Sequence, residues 1–183
     1  EATQIDALEA YPDLTQKLLA LKSARFDPEA HKDMDSRGTA VASLEAEIEA
    51  GLAAVSSLEH DRVIRRLAEV ISAGLRTNFY QTHDGEVKPY ISLKIKSESL
   101  DNLPAPRPYR EIYVSSPRVE GVHLRFGPVA RGGLRWSDRR DDFRTEVLGL
   151  MKAQRVKNAV IVPTGAKGGF YPKQLPSPEI DRD

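Results

Sequence analysis

Apolar residues recur at helical spacing through the first part of the chain. The pattern predicts helices, in chain order, over residues 5–22, 41–55 and 63–75. Pro12 lies near the start of the first stripe, so this stripe fits either one helix or two short ones. The polar segment 25–39 has no periodicity and is predicted to be a mobile connection. We therefore expect residues 1–80 to form a helical region.

Alternating apolar residues dominate the second part of the chain. Strands are predicted, in chain order, over residues 87–95, 109–114, 119–126 and 160–162. A turn is predicted at residues 82–85, and three prolines make residues 97–108 a linker. Residues 138–157 have helical spacing, with Asp141 and Asp142 in the first turn as the helix dipole prefers. We therefore expect an α+β or α/β fold, with helices followed by strands.

Composition limits the classes of partner. The 183 residues suffice for one ordinary domain or two small ones, and the chain starts without methionine, so we interpret it as part of a longer protein. Its 27 basic and 27 acidic residues cancel, which favours neither nucleic acid nor membrane. Basic residues are nevertheless concentrated in residues 131–173, which favours a small anionic ligand. Because cysteine is absent, disulfides and thiolate metal sites are excluded, and a cytoplasmic location is expected.

Three cations in this basic segment are candidate ligands of an anion. Arg131 precedes a pair of glycines, Lys157 ends the predicted helix, and Lys167 lies in a glycine-rich loop that we predict after the last strand. Paired glycines let a backbone or a ligand approach closely. Three spaced cations suit a small dianion.

Structural explanations compete with this hypothesis. Five residues of the predicted helix lie within about 40 degrees of one line at 100 degrees per residue. They are Phe143, Val147, Leu150, Gln154 and Lys157, so the apolar face ends in an amide and an ammonium. Both polar side chains could instead reach water from the helix end, and the glycine pairs could form a tight turn or a bulge. Residues 165–169 match neither a phosphate loop nor a dinucleotide fingerprint. The four histidines lack metal-ligand spacing, so no metal site is expected.

Three ordered motifs resemble the substrate domain of amino-acid dehydrogenases of the glutamate dehydrogenase superfamily. They read Arg131-Gly-Gly-Leu-Arg-Trp136, Gln154-Arg-Val-Lys157 and Thr164-Gly-Ala-Lys-Gly-Gly169. Residues 116–140 are similar, almost letter for letter, to the large bacterial NAD-specific glutamate dehydrogenases, and the resemblance is close over residues 109–171. It implies that residues 81–183 are the amino-terminal part of the substrate-binding domain, ending before the dinucleotide-binding domain.

The resemblance also implies a role for five residues. Lys167 would be the catalytic lysine, and Gln154 and Lys157 would bind the α-carboxylate of the substrate. Arg131 and Gly132 would form the end of the pocket that binds the side-chain carboxylate. The family usually has lysine where Arg131 stands, and a planar, forked guanidinium binds a carboxylate differently from an ammonium.

The implied reaction is the oxidative deamination of L-glutamate to 2-oxoglutarate and ammonia with NAD. From composition and the predicted strands, we also expect a cytoplasmic homo-oligomer with no nucleic-acid or membrane partner. NAD would be bound by a domain outside these residues, so the 183-residue chain alone is expected to be inactive. The alternative is a non-catalytic module for oligomerisation or anion binding, in which the strands pair across subunits.

Overall fold

The structure is a computed structural model that describes residues 2–128, 132–157 and 165–175, with only the backbone of residues 154–157. The chain divides into two compact units, Glu1–Gly74 and Leu75–Asp183. Within the described residues, no helix is both long enough and apolar enough to cross a membrane.

The first unit contains four helices in its described residues. Its elements are α1 (Ala2–Ala10), α2 (Pro12–Phe26), α3 (Met34–Leu52) and α4 (Leu58–Ala73). Pro12 is the first residue of α2, which separates the predicted stripe 5–22 into two helices, one of the two alternatives left open. The backbone amides of Ser36 and His60 donate to the side chains of Asp33 and Ser57, and these caps begin α3 and α4.

The connection between α2 and α3 is shorter than the sequence predicted. Most of residues 25–39 belongs to the two helices, and only the segment 27–33 lies between them. The guanidinium of Arg37 donates to the backbone oxygens of Arg25 and Asp27 at 2.8 and 3.0 Å, which ties the connection to α3. The prediction was wrong because an exposed helix tolerates polar residues and a single glycine.

Leucine and isoleucine side chains of three helices form the core of the first unit. The buried members are Leu14, Leu18 and Leu21 of α2, Ile48 and Leu52 of α3, and Ile64 of α4. The predicted stripes therefore contain every buried member of this core, but they were wrong at Ile5, Leu19 and Leu75, which are exposed. Leu75 lies in a strand because α4 ends at Ala73.

The second unit contains a mixed sheet. Its strands are β1 (Gly74–Thr77), β2 (Thr82–His83), β3 (Glu86–Val87), β4 (Ile91–Ile95), β5 (Arg110–Ser115), β6 (Val119–Arg125), β7 (Leu134–Trp136) and β8 (Ala166–Pro172). In the described part of the chain, six of them form one sheet in the order β1-β4-β5-β6-β8-β7, and β2 pairs with β3. The turn between β2 and β3 is confirmed, since Asp84 and Gly85 have φ of 52 and 81 degrees. Helices followed by this sheet make the fold α+β.

Helix α5 (Phe143–Lys157) connects the two strands that pair in parallel, β7 and β8. The neighbouring strands β4, β5, β6 and β8 pair antiparallel in that order. Six buried side chains join α5 to β6, namely Val122 and Leu124 with Phe143, Val147, Leu148 and Met151. One face of the sheet is therefore covered by α5.

Several boundaries in this unit differ from the predictions. Pro89 interrupts the predicted strand 87–95, because proline cannot donate to a ladder. Helix α5 starts at Phe143 rather than at residue 138, since the backbone amide of Arg139 donates to Ser137 Oγ in a turn before it. The segment 165–169, predicted as a loop, lies mostly in β8. The predicted strand 160–162 falls outside the described residues.

We expect Ile64→Ala to destabilise the first unit by about 2–5 kcal/mol, because Ile64 is 0% exposed and its loss leaves a cavity. Leu58→Ala on the same helix is the control. Leu58 is 65% exposed and should cost less than about 0.5 kcal/mol. Urea unfolding measures both, and equal losses would contradict the position of this core.

Candidate active site

Lys167 lies near the start of β8, opposite Leu124 of β6, and is half-buried. Residues directly opposite each other in antiparallel strands point to the same face of a sheet. Leu124 is fully buried against α5, so Lys167 lies on the face that α5 covers. Two residues further along β8, a Cβ at Gly169 would stand 2.4 Å from Val147 Cγ2. Lys167 and the contact between α5 and β8 therefore share one face.

The glycine pair before β7 lies against the start of β8. The backbone amide of Gly168 donates to the carbonyl oxygen of Gly133 at 3.0 Å. A Cβ on Gly132 would stand 1.3 Å from the carbonyl oxygen of Ala166, so that position has no room for a side chain. Gly132 therefore lies beside the residue that precedes Lys167. Arg131 lies outside the described residues.

Gln154 and Lys157 belong to the last turns of α5, and their side chains lie outside the described part of the structure. Because β7 and β8 are parallel, the connection must return the chain from the end of β7 to the start of β8. Helix α5 therefore runs back along the sheet and ends on the side where β8 begins. The backbone positions of Gln154, Lys157 and Lys167 thus lie toward one edge of the unit.

The buried face of α5 is rotated relative to the predicted line. Phe143, Val147, Leu148 and Met151 are buried, whereas Leu150 is only half-buried. At 100 degrees per residue, the centre of the buried face lies about 65 degrees from the predicted line. At this spacing, position 157 lies at the side of the buried face of α5, near the angular positions of Leu150 and Ala153. The predicted apolar line was wrong because it counted Leu150 and not Leu148 and Met151.

A cleft of about 510 Å³ borders this flank of α5. Leu150 and Ala153 line it from the helix, and Arg135 and Arg139 line it from β7 and the following turn. Arg135 is opposite Gly169, so it lies on the same face of the sheet as Lys167. Among the described residues, no carboxylate lies within ion-pair distance of Arg135.

Three acids on this face, Glu111, Glu120 and Glu146, are paired with other cations, and Asp138 and Glu146 also line the cleft. Glu111 accepts from Arg144 Nε and Nη2 at 2.6 and 2.8 Å, and Glu120 lies 2.6 Å from Lys173 Nζ. Arg139 lies 3.8 Å from Glu146. In the described part of the structure, Lys167 has no such partner. The face around Lys167 is therefore suited to an anion.

His123 lies on the opposite face, in register with Gly168. Burial lowers the pKa of its imidazole, and the nearby Arg125 lowers this pKa further. Its Nδ1 is buried and has no hydrogen-bond partner within the described residues. No group of three or more metal-ligating side chains occurs in those residues, so His123 has no partners there for a metal site.

A family model described as the catalytic domain of bacterial NAD-glutamate dehydrogenase matches residues 47–183. The chain belongs to this family. It is 51% identical over 182 residues to the NAD-specific glutamate dehydrogenase of Mycobacterium tuberculosis, covering 96% of the chain. It is 53% identical over 171 residues to the NAD-specific glutamate dehydrogenase of Pseudomonas aeruginosa, covering 93% of the chain. The chain spans 11% of the length of each of these two relatives. The resemblance stated from the sequence motifs is confirmed.

Three charged residues of this bacterial glutamate dehydrogenase domain were not identified from sequence. Arg135 follows the glycine pair within the first motif, and strand alternation from Leu134 could have placed it. Glu111 and Arg144 gave no local signal, because they are 33 residues apart and meet only when α5 packs on the sheet. All three lie on the α5 side of the sheet.

The glycines of the first motif offer a matched test. We expect Gly132→Ala to destabilise the second unit by about 1–3 kcal/mol or more, since the added methyl group overlaps a backbone oxygen that cannot rotate away. Gly133→Ala is the control, because its Cβ would have no atom within 4 Å. Chemical unfolding of both variants measures the difference. Similar stability of the two variants would exclude this close approach of the backbone.

Proposed function

We propose that the protein carrying this chain oxidises L-glutamate to 2-oxoglutarate and ammonia with NAD, and that the chain supplies the substrate-binding part of the active site. The observation that supports this most directly is the position of Lys167. It is a half-buried lysine without a carboxylate partner in the described structure, on the sheet face covered by the helix that carries Gln154 and Lys157. The names of the relatives, NAD-specific glutamate dehydrogenases, agree with this reaction.

The described residues do not fit NAD. A dinucleotide site needs a glycine-rich turn between a strand and the amino-terminal end of a helix, where backbone amides face the pyrophosphate. Here Gly168 and Gly169 lie inside β8 and are paired with β6. Gly169 faces Val147 of α5, and Gly168 faces Leu134 and His123, so neither glycine faces an open site for a pyrophosphate. We therefore propose that NAD is bound by another domain of the protein, and that the chain alone is inactive.

The proposed roles of the chain concern the substrate. Gln154 and Lys157 hold the α-carboxylate, and Arg131 with the backbone at Gly132 holds the side-chain carboxylate. Two fixed carboxylates orient the hydrogen on Cα, which contributes to catalysis by positioning. Lys167, as the neutral amine, takes a proton from the water that attacks the iminium carbon and, as the ammonium, gives that proton to the departing ammonia.

We also propose that the protein is a cytoplasmic homo-oligomer. Composition and exposure support this proposal. The absence of cysteine suits a reducing compartment, and Leu134 and Trp136 on β7 expose large apolar side chains of the kind that subunit contacts cover.

We expect Lys167→Ala in the complete enzyme to lower kcat for glutamate by about 100-fold to 10,000-fold, the usual contribution of a general acid or base. The Michaelis constant for glutamate should change far less. Lys152→Ala is the control, because Lys152 is an exposed lysine on α5. A kcat for Lys167→Ala within about threefold of the parent enzyme would refute the catalytic role.

We expect Arg131→Met in the complete enzyme to shift selectivity from glutamate toward norleucine. Loss of a charge-assisted hydrogen bond to the side-chain carboxylate should cost about 1.5–3 kcal/mol, or roughly 10-fold to 150-fold in relative kcat/KM. Arg135→Met should leave this selectivity unchanged. If Arg135→Met shifts the selectivity and Arg131→Met does not, the carboxylate binds in the cleft beside α5 instead.

A further inference from the structure

A partly buried ion pair joins the first turn of α5 to the centre of the sheet. Glu111 of β5 is 7% exposed, and both of its carboxylate oxygens accept from Arg144, at 2.6 and 2.8 Å. The hydroxyl of Ser97, which is fully buried, donates to Glu111 Oε2 at 3.4 Å. A guanidinium that binds a carboxylate through two parallel hydrogen bonds is fixed in direction as well as in distance.

This pair lies in the same cross-strand row as the proposed catalytic lysine. Glu111 is opposite Leu124, and Leu124 is opposite Lys167. Residues in such a row point to the same face, which here is the face covered by α5. Arg144 therefore holds α5 to the row of the sheet that carries Lys167.

The described side chains that follow Met151 in α5 are exposed. Met151 is the last buried residue of the helix whose side chain the structure describes, and Lys152 and Ala153 are exposed. Residue 157 lies about 20 Å from residue 144 along the helix axis, at 1.5 Å per residue. Over that length a tilt of about 5 degrees moves the last turn by more than 1 Å, enough to cost about 100-fold in catalysis.

We propose that Glu111 and Arg144 are positioning residues, which fix the tilt of α5, the helix whose last turns include Gln154 and Lys157, against the strand that carries Lys167. Burial of apolar side chains such as Val147 and Leu148 stabilises the packing of α5 but is not directional. The bidentate ion pair is directional and therefore fixes the tilt of the helix. The effect of this anchoring on catalysis rests on the proposed function, whereas the anchoring of α5 by the ion pair is independent of it.

The anchoring is tested by hydrogen exchange on the full-length protein with Arg144→Lys and, independently, Glu111→Gln. Arg144→Lys keeps the positive charge but cannot donate two parallel hydrogen bonds. Glu111→Gln keeps the shape of the side chain but removes its negative charge. We expect the α5 amides to exchange about tenfold faster in both variants, while the amides of β5 and β6 are unchanged. Arg110→Lys is the matched control, because Arg110 is the neighbour of Glu111, points to the opposite face and pairs with Glu98. Exchange in α5 that matches the control in both variants would overturn the anchoring.

The consequence is tested by steady-state kinetics on the same variants. We expect KM for glutamate to rise about tenfold or more, with KM for NAD within about twofold of the parent. A merely structural role would lower the amount of active enzyme, which reduces the apparent kcat and leaves both KM values unchanged; that result would overturn the positioning role. A parent enzyme that does not oxidise glutamate would refute the proposed function, while hydrogen exchange would still decide the anchoring.

Discussion

The arrangement of the candidate site depends on how closely two elements approach strand β8. A side chain at Gly169 would collide with Val147, and one at Gly132 would collide with the backbone of Ala166. Because these positions carry no side chains, α5 packs directly on β8, and the segment before β7 lies against its start. The helix that carries Gln154 and Lys157 therefore lies on the strand that carries Lys167. The glycines of the motifs thus serve packing first, and they bring the candidate ligands together as a consequence.

Pairing of the acids has a second consequence for the site. An unpaired carboxylate beside Lys167 would repel the carboxylates of an anionic substrate, and an interaction between charges excluded from water is far stronger than one at the surface. Glu111 and Glu120, the two acids of β5 and β6 on this face, are instead held by Arg144 and Lys173. These two ion pairs contribute to the fold, and they also leave the area around Lys167 without an unpaired carboxylate of β5 or β6. Binding of a carboxylate substrate thus requires no ion pair of the described residues to break.

The sequence predicts what depends on local periodicity. The stripes of α2, α3 and α4 identified core residues such as Leu18 and Ile64, and the turn at Asp84 followed from turn chemistry. Strand β8 was read as a loop because glycines at 168–169 hide the alternation that marks a strand. The rotation of α5 and the pairing of Arg144 with a residue of a distant strand depend on tertiary packing, which no local pattern records. The family motifs identified Lys167 as a candidate, but only the strand register places it on the face of α5.

The family match also bears on how the helices relate to the domain. The match begins at residue 47, inside α3, and includes the whole of α4. The core of the first unit, however, joins Ile48 and Ile64 to leucines of α2, which precede the match. The boundary of the matched region at residue 47 thus lies within a segment that contributes to one hydrophobic core. The buried side chains after this boundary need the leucines of α2 as packing partners. The first two helices therefore belong to the same compact unit as α3 and α4, and their contacts with α3 and α4 complete its core.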